Sequence, residues 1–254
     1  MVQPLSHLRL GAVNIDGVML EDTFSPVIHL FLVSRGCEYT AEVERAIFSQ
    51  PRAIAGRLLA EAVDEPMTGQ QALDAYFEER ARYVATHPVR ISAGAVELIG
   101  TLRSLGLRVV CYGGLGKDHF DTFLGEHAAL FDAPGYICTD SIRPGLHEIA
   151  TDHFGLEHDQ VLVIDDVAKV AEEAGRLGMG FIGYPSGFEH SFQRELMVEA
   201  GVRHLVDSLH SVDENLLRAL DAEAAEVSAA AASMTAGSMT AGSTTATSMT
   251  ASRC

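Results

Sequence analysis

The chain has 254 residues, of which 47% are hydrophobic and 21% are charged, so one large or two small domains with a substantial core are expected. Its formal net charge of -17 argues against binding to nucleic acid or to an anionic membrane, because both require a basic surface. The 4 cysteines form no CxxC pair and no apolar run reaches the length of a membrane span, so a reduced, cytoplasmic protein is expected.

The first predicted elements are a strand and a block of helices. Leu8 to Val13 is a short apolar run that ends in a polar loop, which is typical of a buried strand. Residues 21–89 then show only helical patterns, and the longest of these spans Thr68 to Thr86. This block predicts an all-helical insertion directly after the first strand.

From residue 90 onward, apolar runs alternate with amphipathic segments. Strands are predicted at 107–112, 136–139, 161–164 and 181–184, and helices at 95–105, 117–126, 146–154, 167–177, 190–200 and 212–225. Repeated strand–helix units predict an α/β fold with a doubly wound parallel sheet. The expected domains are a core of 1–20 and 90–227 and an inserted helical cap of 21–89.

The end of the chain has a different composition. From Ser233 a degenerate five-residue repeat of small polar residues begins, and it has no periodic apolar face. Such a segment buries too little surface to offset the entropy of ordering. Residues 228–254 are therefore predicted to be a low-complexity, disordered tail.

Polar or small residues follow the ends of the predicted strands. These residues are Asn14, Asp16, Gly113, Gly114, Arg143, Asp165 and Asp166. In open parallel sheets, ligands bind beyond the carboxyl ends of the strands, so these side chains are expected at one rim. Gathered carboxylates favour a cation, and their oxygens suit a hard ion such as Mg²⁺.

Four segments in order resemble the motifs of the haloacid dehalogenase-like (HAD) superfamily. Residues 13–18, VNIDGV, resemble the first motif, hhhDxDGT, and residues 91–106 resemble the segment that leads to the second. The Arg-Pro pair at 143–144 resembles the third motif, and VIDD at 163–166 resembles the double-aspartate form of the fourth. The helical insertion is similar to the C1-type caps of the family, which implies a Rossmann-like core.

The resemblance implies a mechanism and a role for each rim residue. In the family the first aspartate of motif one is the nucleophile, and the second is the general acid and base. Asn14 stands at the nucleophile position and Asp16 at the acid/base position. In the phosphatases, Mg²⁺ is held by the nucleophile, a backbone carbonyl two residues on and a motif-four acid, so the implied metal ligands are Asn14, Asp16, Asp165 and Asp166. The implied contacts to the transferred anion are Gly113, Gly114 and Arg143.

Three positions depart from the family pattern. Asn14 replaces the aspartate nucleophile, Val18 replaces the motif-one threonine, and Gly113 stands where the motif-two hydroxyl belongs. An amide is uncharged and a poor nucleophile, so both catalysis and Mg²⁺ binding are expected to be weak or absent.

Each of these residues also has a purely structural interpretation. Asp16 can close a turn with Gly17, and Asp166 can cap the helix after the fourth strand, which makes Asp165 the better metal candidate. Arg143 can be a solvated surface residue. Scattered histidines such as His119 are read as surface or core residues.

Two functions therefore stay open. The first is a catalytically impaired pseudoenzyme with a residual metal or anion site, which binds a small phosphorylated molecule or a protein partner. The second is an active Mg²⁺-dependent phosphatase that acts on a small phosphorylated metabolite. No nucleic acid or membrane partner is expected, and the oligomeric state is left open.

Overall fold

The computed structural model describes residues 3–241, with side chains through residue 230. Within this range five parallel strands form one sheet in the order β3-β2-β1-β4-β5. The strands are β1 (Leu10–Asn14), β2 (Arg108–Gly113), β3 (Tyr136–Cys138), β4 (Val161–Asp165) and β5 (Gly180–Gly183). Central β1 pairs with β2 and β4, with Val13 opposite Cys111 and Ile164. The predicted parallel α/β sheet is confirmed.

Four helices lie between β1 and the next core helix. They are α1 (Ser25–Val33), α2 (Ala41–Ile47), α3 (Arg52–Glu61) and α4 (Gly69–Thr86). The Thr40 side chain accepts a hydrogen bond from the Val43 backbone N–H at the start of α2, and Thr68 forms a capping box with Gln71 at the start of α4. The insertion predicted at 21–89 is helical, as expected.

The remaining helices connect and flank the strands. They are α5 (Ala95–Ser104), α6 (Lys117–Leu124), α7 (Leu146–Glu148), α8 (Ala168–Leu177), α9 (Gln193–Glu199) and α10 (Glu214–Ala241). After α7 the chain widens into a π-helical turn at Ile149–His153, where a single α-helix was expected. None of the described helices has the length and apolar character needed to cross a membrane.

Helix α10 extends beyond residue 227, where the core was predicted to end. The sequence at 229–232 is a run of alanines, the residue with the highest helix propensity, which accounts for the continuation. Residues 228–241 are thus helical instead of disordered. The rest of the predicted tail, 242–254, lies outside the described residues.

Side chains alternate between the two faces of the sheet, and each face has its own apolar cluster. On one face Val13, Val109 and Cys111 pack with residues of α5 and α10. On the other face Ala12 and Val110 belong to a cluster that continues into the cap helices. The cap therefore buries its apolar residues against the core and encloses the carboxyl edge of the sheet.

Candidate functional site

Asn14 is the last residue of β1 and is 4% exposed. Its side-chain Nδ2 donates to the backbone carbonyl oxygen of Asp16 at 2.7 Å and to Oδ1 of Asp166 at 2.8 Å. A carbonyl oxygen only accepts hydrogen bonds, so the amide nitrogen of Asn14 faces the Asp16 carbonyl and, with its other N–H, the acceptor oxygen Oδ1 of Asp166. The two N–H donors of Asn14 therefore bridge the loop after β1 and the loop after β4.

Gly17 allows the loop after β1 to pass directly over Asp166. Its φ is +93°, and a Cβ at this position would lie 2.0 Å from Oδ2 of Asp166. A residue with a side chain would be strained by its backbone and would also displace the carboxylate. Gly17 therefore brings the carbonyl of Asp16 and the carboxylate of Asp166 close enough to share Asn14.

The two acids after β4 point in different directions. Asp165 is fully buried, where its Oδ2 accepts from the Tyr112 hydroxyl and its Oδ1 accepts from the backbone N–H of Val167 at 2.8 Å. Burial raises the pKa of Asp165 to about 6, although the Tyr112 hydrogen bond and the charge of Arg143 act in the opposite direction. Both carboxylate oxygens of Asp165 therefore accept hydrogen bonds within the protein interior.

Asp166 instead lines the cavity described below. Burial raises the pKa of Asp166 well above its usual value, the charge of Asp165 adds to this, and the Asn14 hydrogen bond partly opposes it. The N-cap residue of α8 is Val167, so Asp166 does not cap that helix. The expectation that Asp166 caps this helix is therefore wrong, and of the two acids Asp166 is the one that lines the cavity and contacts Asn14. The role of Asp165 as a metal ligand stays a prediction.

Asp16 is paired with a histidine that the sequence analysis did not assign to the site. Nε2 of His119 lies 2.8 Å from Oδ1 of Asp16, and the two side chains are only 10% and 14% exposed. His119 is in the first turn of α6, the helix that follows the glycine turn after β2. Its place just after the end of a predicted strand was the one feature of the sequence that could have assigned His119 to the site.

The two glycines after β2 have different surroundings. A Cβ on Gly113 would lie 2.4 Å from Cγ2 of Ile15, and the Gly113 carbonyl accepts from the backbone N–H of Thr139 at 2.8 Å. Gly113 is absent from the cavity wall, so its predicted anion-binding role is not supported, and glycine is needed there to accommodate Ile15. Gly114 does line the cavity, and a Cβ there would lie 3.1 Å from Nη1 of Arg143.

A cavity of about 150 Å³ separates the cap from the carboxyl edge of the sheet. The core contributes polar groups to its wall, namely those of Asn14, Asp16, Gly114, Asp140, Arg143 and Asp166. The cap contributes mainly apolar side chains, among them Phe24, Ile28, Ile47, Leu59, Leu73 and Phe77. The cavity therefore has a polar end and an apolar end.

Each carboxylate in this wall already has a donor. The pairs are Asp16 with His119, Asp22 with the backbone N–H groups of Phe24 and Ser25, Asp140 with the backbone N–H of Arg52, and Asp166 with Asn14. The guanidinium of Arg52 also lies near Asp140 and donates to the Gly114 carbonyl at 3.0 Å. Among the described side chains, none forms an ion pair with Arg143, which leaves this guanidinium available to a ligand.

The donor set of the rim does not fit the magnesium site that the resemblance implies. The Asp16 carbonyl and the Asp166 carboxylate both receive N–H groups of Asn14, and a cation would have to displace these donors. In the described part of the chain, no group of three or more histidine, cysteine, aspartate or glutamate residues is arranged to hold a metal. The amide of Asn14 takes the place between the two oxygens that a cation would need.

Comparison with known proteins establishes the fold. No protein-family model matches the chain, and no curated protein matches it either. A candidate β-phosphoglucomutase from Bacteroides vulgatus is a similar solved structure, with a TM-score of 0.64 and 16% identity over 87% of this chain and 91% of that one. A phosphonoacetaldehyde hydrolase-like protein from Oleispira antarctica has a TM-score of 0.62 and 15% identity over 89% of this chain and 97% of that one.

A third similar structure is a HAD family hydrolase from Deinococcus radiodurans R1, solved with bound phosphate and sodium. Its TM-score is 0.54, with 19% identity over 86% of this chain and 96% of that one. At these identities the likeness concerns the fold alone. The chain therefore has the fold of HAD hydrolases, as its motifs implied.

Proposed function

We propose that this chain is a ligand-binding pseudoenzyme of the HAD fold, which holds a small anionic molecule beneath its cap without hydrolysing it. The amide of Asn14 is the observation that carries the proposal. It stands at the nucleophile position, lacks negative charge, and uses both N–H groups to bind Asp16 and Asp166. The family mechanism needs a carboxylate at this point to form its covalent intermediate.

Arg143 supports an anionic ligand. Its guanidinium lines the cavity beside Gly114 and has no ion-pair partner among the described side chains. Arginine presents a planar fork of donors that matches the oxygens of a carboxylate or a phosphate. One structural neighbour was solved with phosphate, which agrees with an anion as ligand for this fold.

The proposal does not require Mg²⁺. The residues of the rim are satisfied by N–H donors, so ligand binding is expected to be the same with and without the metal. A small molecule is preferred to a protein partner because the candidate contacts lie inside a cavity. A reducing, cytoplasmic location remains part of the proposal, and Cys37, Cys111 and Cys138 are free thiols.

A phosphatase assay tests the proposal. The full chain is incubated with p-nitrophenyl phosphate and Mg²⁺, beside the Asp16→Ala variant as the matched control. We expect no phosphate release above that of the variant, since the nucleophile is absent. Robust turnover that disappears in Asp16→Ala would reject the pseudoenzyme.

The pairing of Asp16 with His119 favours a second candidate, an active hydrolase in which water attacks the substrate directly. Asp16 lines the cavity and can act as the general base, with Nε2 of His119 2.8 Å from its Oδ1 to hold it in place. In this case Asp16→Asn would lower turnover about 100-fold or more, within the usual range for a general base. In the pseudoenzyme the same substitution leaves the background rate unchanged.

A further inference from the structure

The polar end of the cavity offers one unpaired positive charge. Arg143 provides it, because the other arginine of the wall, Arg52, is held by Asp140 and the Gly114 carbonyl. A carboxylate carries one negative charge, whereas a phosphate monoester carries about 1.5 to 2 at neutral pH. One guanidinium therefore balances a carboxylate and leaves a phosphate partly uncompensated.

The residues near Arg143 add negative charge. They offer no free N–H donor from Asn14, because both of its N–H groups are already used. Asp16 and Asp166 both line the same end of the cavity, and the Nδ2 donors of Asn14 are already engaged by them. The second charge of a phosphate would thus meet carboxylates instead of a metal or an amide. The electrostatics of the rim favour a monoanion.

The cap end of the cavity is lined mainly by apolar side chains, among them Ile28, Leu59, Leu73 and Phe77. Two hydroxyls of the same wall, those of Ser49 and Tyr76, have no hydrogen-bond partner among the described residues. A body with many hydroxyls would find only these two partners and would lose its other hydrogen bonds to water, while a mainly apolar body would not. The whole cavity, its polar end included, measures about 150 Å³. A dry cavity of about that size accommodates benzene, so one ring is the upper limit for the body of the ligand.

We infer that the ligand of this cavity is a small monocarboxylic acid whose apolar body is about the size of one ring. Its carboxylate binds the guanidinium of Arg143, and its body packs among Ile28, Leu73 and Phe77 of the cap. The inference rests on the proposed function, because it names the ligand class of the same cavity. It also explains why an amide at position 14 is tolerated, since binding a carboxylate needs no nucleophile.

Calorimetric titration of the full chain tests this ligand class with three probes that share one ring. They are phenylacetate, phenyl phosphate and benzyl alcohol, each measured in EDTA. Phenylacetate is expected to bind at least about 10-fold more tightly than the other two, since a charge-assisted hydrogen bond accounts for a factor of this order. Arg143→Gln is expected to remove that advantage, while Arg176→Gln, an exposed arginine outside the cavity wall, leaves it intact.

The apolar end is tested with Phe77→Ala, whose fold is checked by thermal unfolding. This variant is expected to weaken phenylacetate several-fold and to leave acetate unchanged, because acetate lacks the ring. Equal affinity of the native chain and Arg143→Gln for phenylacetate overturns the inference, and so does the absence of binding by phenylacetate. If intact phenyl phosphate binds more tightly than phenylacetate, the inference that the ligand is a carboxylate is overturned, but the proposed function stands. Hydrolysis of phenyl phosphate overturns the proposed function itself.

Discussion

The cap meets the core at two polar regions that differ in how their charges are satisfied. The first, called the latch here, consists of Asp22, His29 and Glu44 of the cap side and the loop at 184–192. Glu44 is fully buried and accepts from Oγ of Ser191 at 3.0 Å and from the backbone N–H of Phe192 at 2.8 Å. Oδ2 of Asp22 accepts from the Ser186 hydroxyl at 2.5 Å. These carboxylates are matched within the chain itself.

The second region is the cavity at the carboxyl edge, where the match is incomplete. Its carboxylates have donors, but Arg143 has no ion-pair partner among the described side chains. Arg143 is half-buried beside this empty volume, where its guanidinium can meet a ligand. The latch therefore joins the cap to the core through contacts within the chain, whereas the cavity is where the proposed ligand would bind.

The largest effect on stability is expected from Asn14→Asp, which would remove the hydrogen bonds that Asn14 donates to the Asp16 carbonyl and to Asp166. The substitution removes the N–H donors and places a carboxylate against Asp166, whose Oδ1 is 2.8 Å from Nδ2 of Asn14. Without metal, the free energy of unfolding should be about 3–5 kcal/mol lower than that of the native chain, which is the usual cost of an uncompensated buried charge. Urea unfolding in EDTA measures this loss, and added Mg²⁺ should reverse much of it.

Asn14→Ala is the matched control for this prediction. It removes the same hydrogen bonds without adding charge, so its smaller loss of stability should not respond to Mg²⁺. Unchanged stability of Asn14→Asp in EDTA would show that the amide does not hold the rim together. Turnover by Asn14→Asp should remain low, because Gly113 has no hydroxyl and Ile15 occupies the space of a side chain there.

A smaller loss is expected when the latch is broken. Glu44→Ala leaves the Ser191 hydroxyl and the Phe192 N–H without their acceptor. The free energy of unfolding should fall by about 2–3 kcal/mol, because two hydrogen bonds to a buried, charged acceptor are lost. Urea unfolding tests this against Glu42→Ala, an exposed glutamate of the same helix. A loss no larger than that of Glu42→Ala would assign the cap attachment to apolar packing alone.

Much of the fold could be predicted because its local signals agree with its packing. The strands β1 and β4 are continuous apolar runs, as expected of a sheet covered on both faces, and Thr68 with Gln71 forms a capping box that begins the longest cap helix. The π-helical turn at Ile149–His153 has no comparable local signal. The alanines at 229–232 were included in the tail although they favour a helix.

The site could be predicted only as far as strand ends determine it. That rule brings Asn14, Asp16, Arg143 and Asp166 to one cavity. It does not separate Asp165 from Asp166, because their directions depend on a hydroxyl from another strand, that of Tyr112.

Contacts between distant segments were also beyond reach of the sequence. The contact of Ile15 with Gly113 and the pairing of Asp16 with His119 join segments about a hundred residues apart. Neither contact carries a periodic or spacing signal. The end of β2 places His119 at the carboxyl edge of the sheet, but it does not indicate that Asp16 is its partner.

The smallest effect is expected from the histidines of the latch. The rings of His29 and His190 stack with their centroids 4.3 Å apart, and the rings of Tyr39 and Phe188 contact His29 edge-on. Burial, and then the charge of His190, lower the pKa of His29, while Glu189 acts in the opposite direction. The unfolded chain therefore takes up this proton before the folded one does. The latch should lose stability as the pH falls through the ordinary histidine value of 6.5.

The loss should be below about 1 kcal/mol, because solvent screens the partly exposed rings. Urea unfolding at neutral pH and about one unit below 6.5 would measure it in the native chain and in His190→Gln. Burial raises the pKa of Asp165 to about 6, which strengthens the folded state on acidification, but this contribution is common to both proteins and cancels in their difference. The native chain should therefore lose more stability than His190→Gln. An equal loss would mean that the stacked pair contributes packing alone to the latch, and that the attachment of the cap does not respond to pH through these rings.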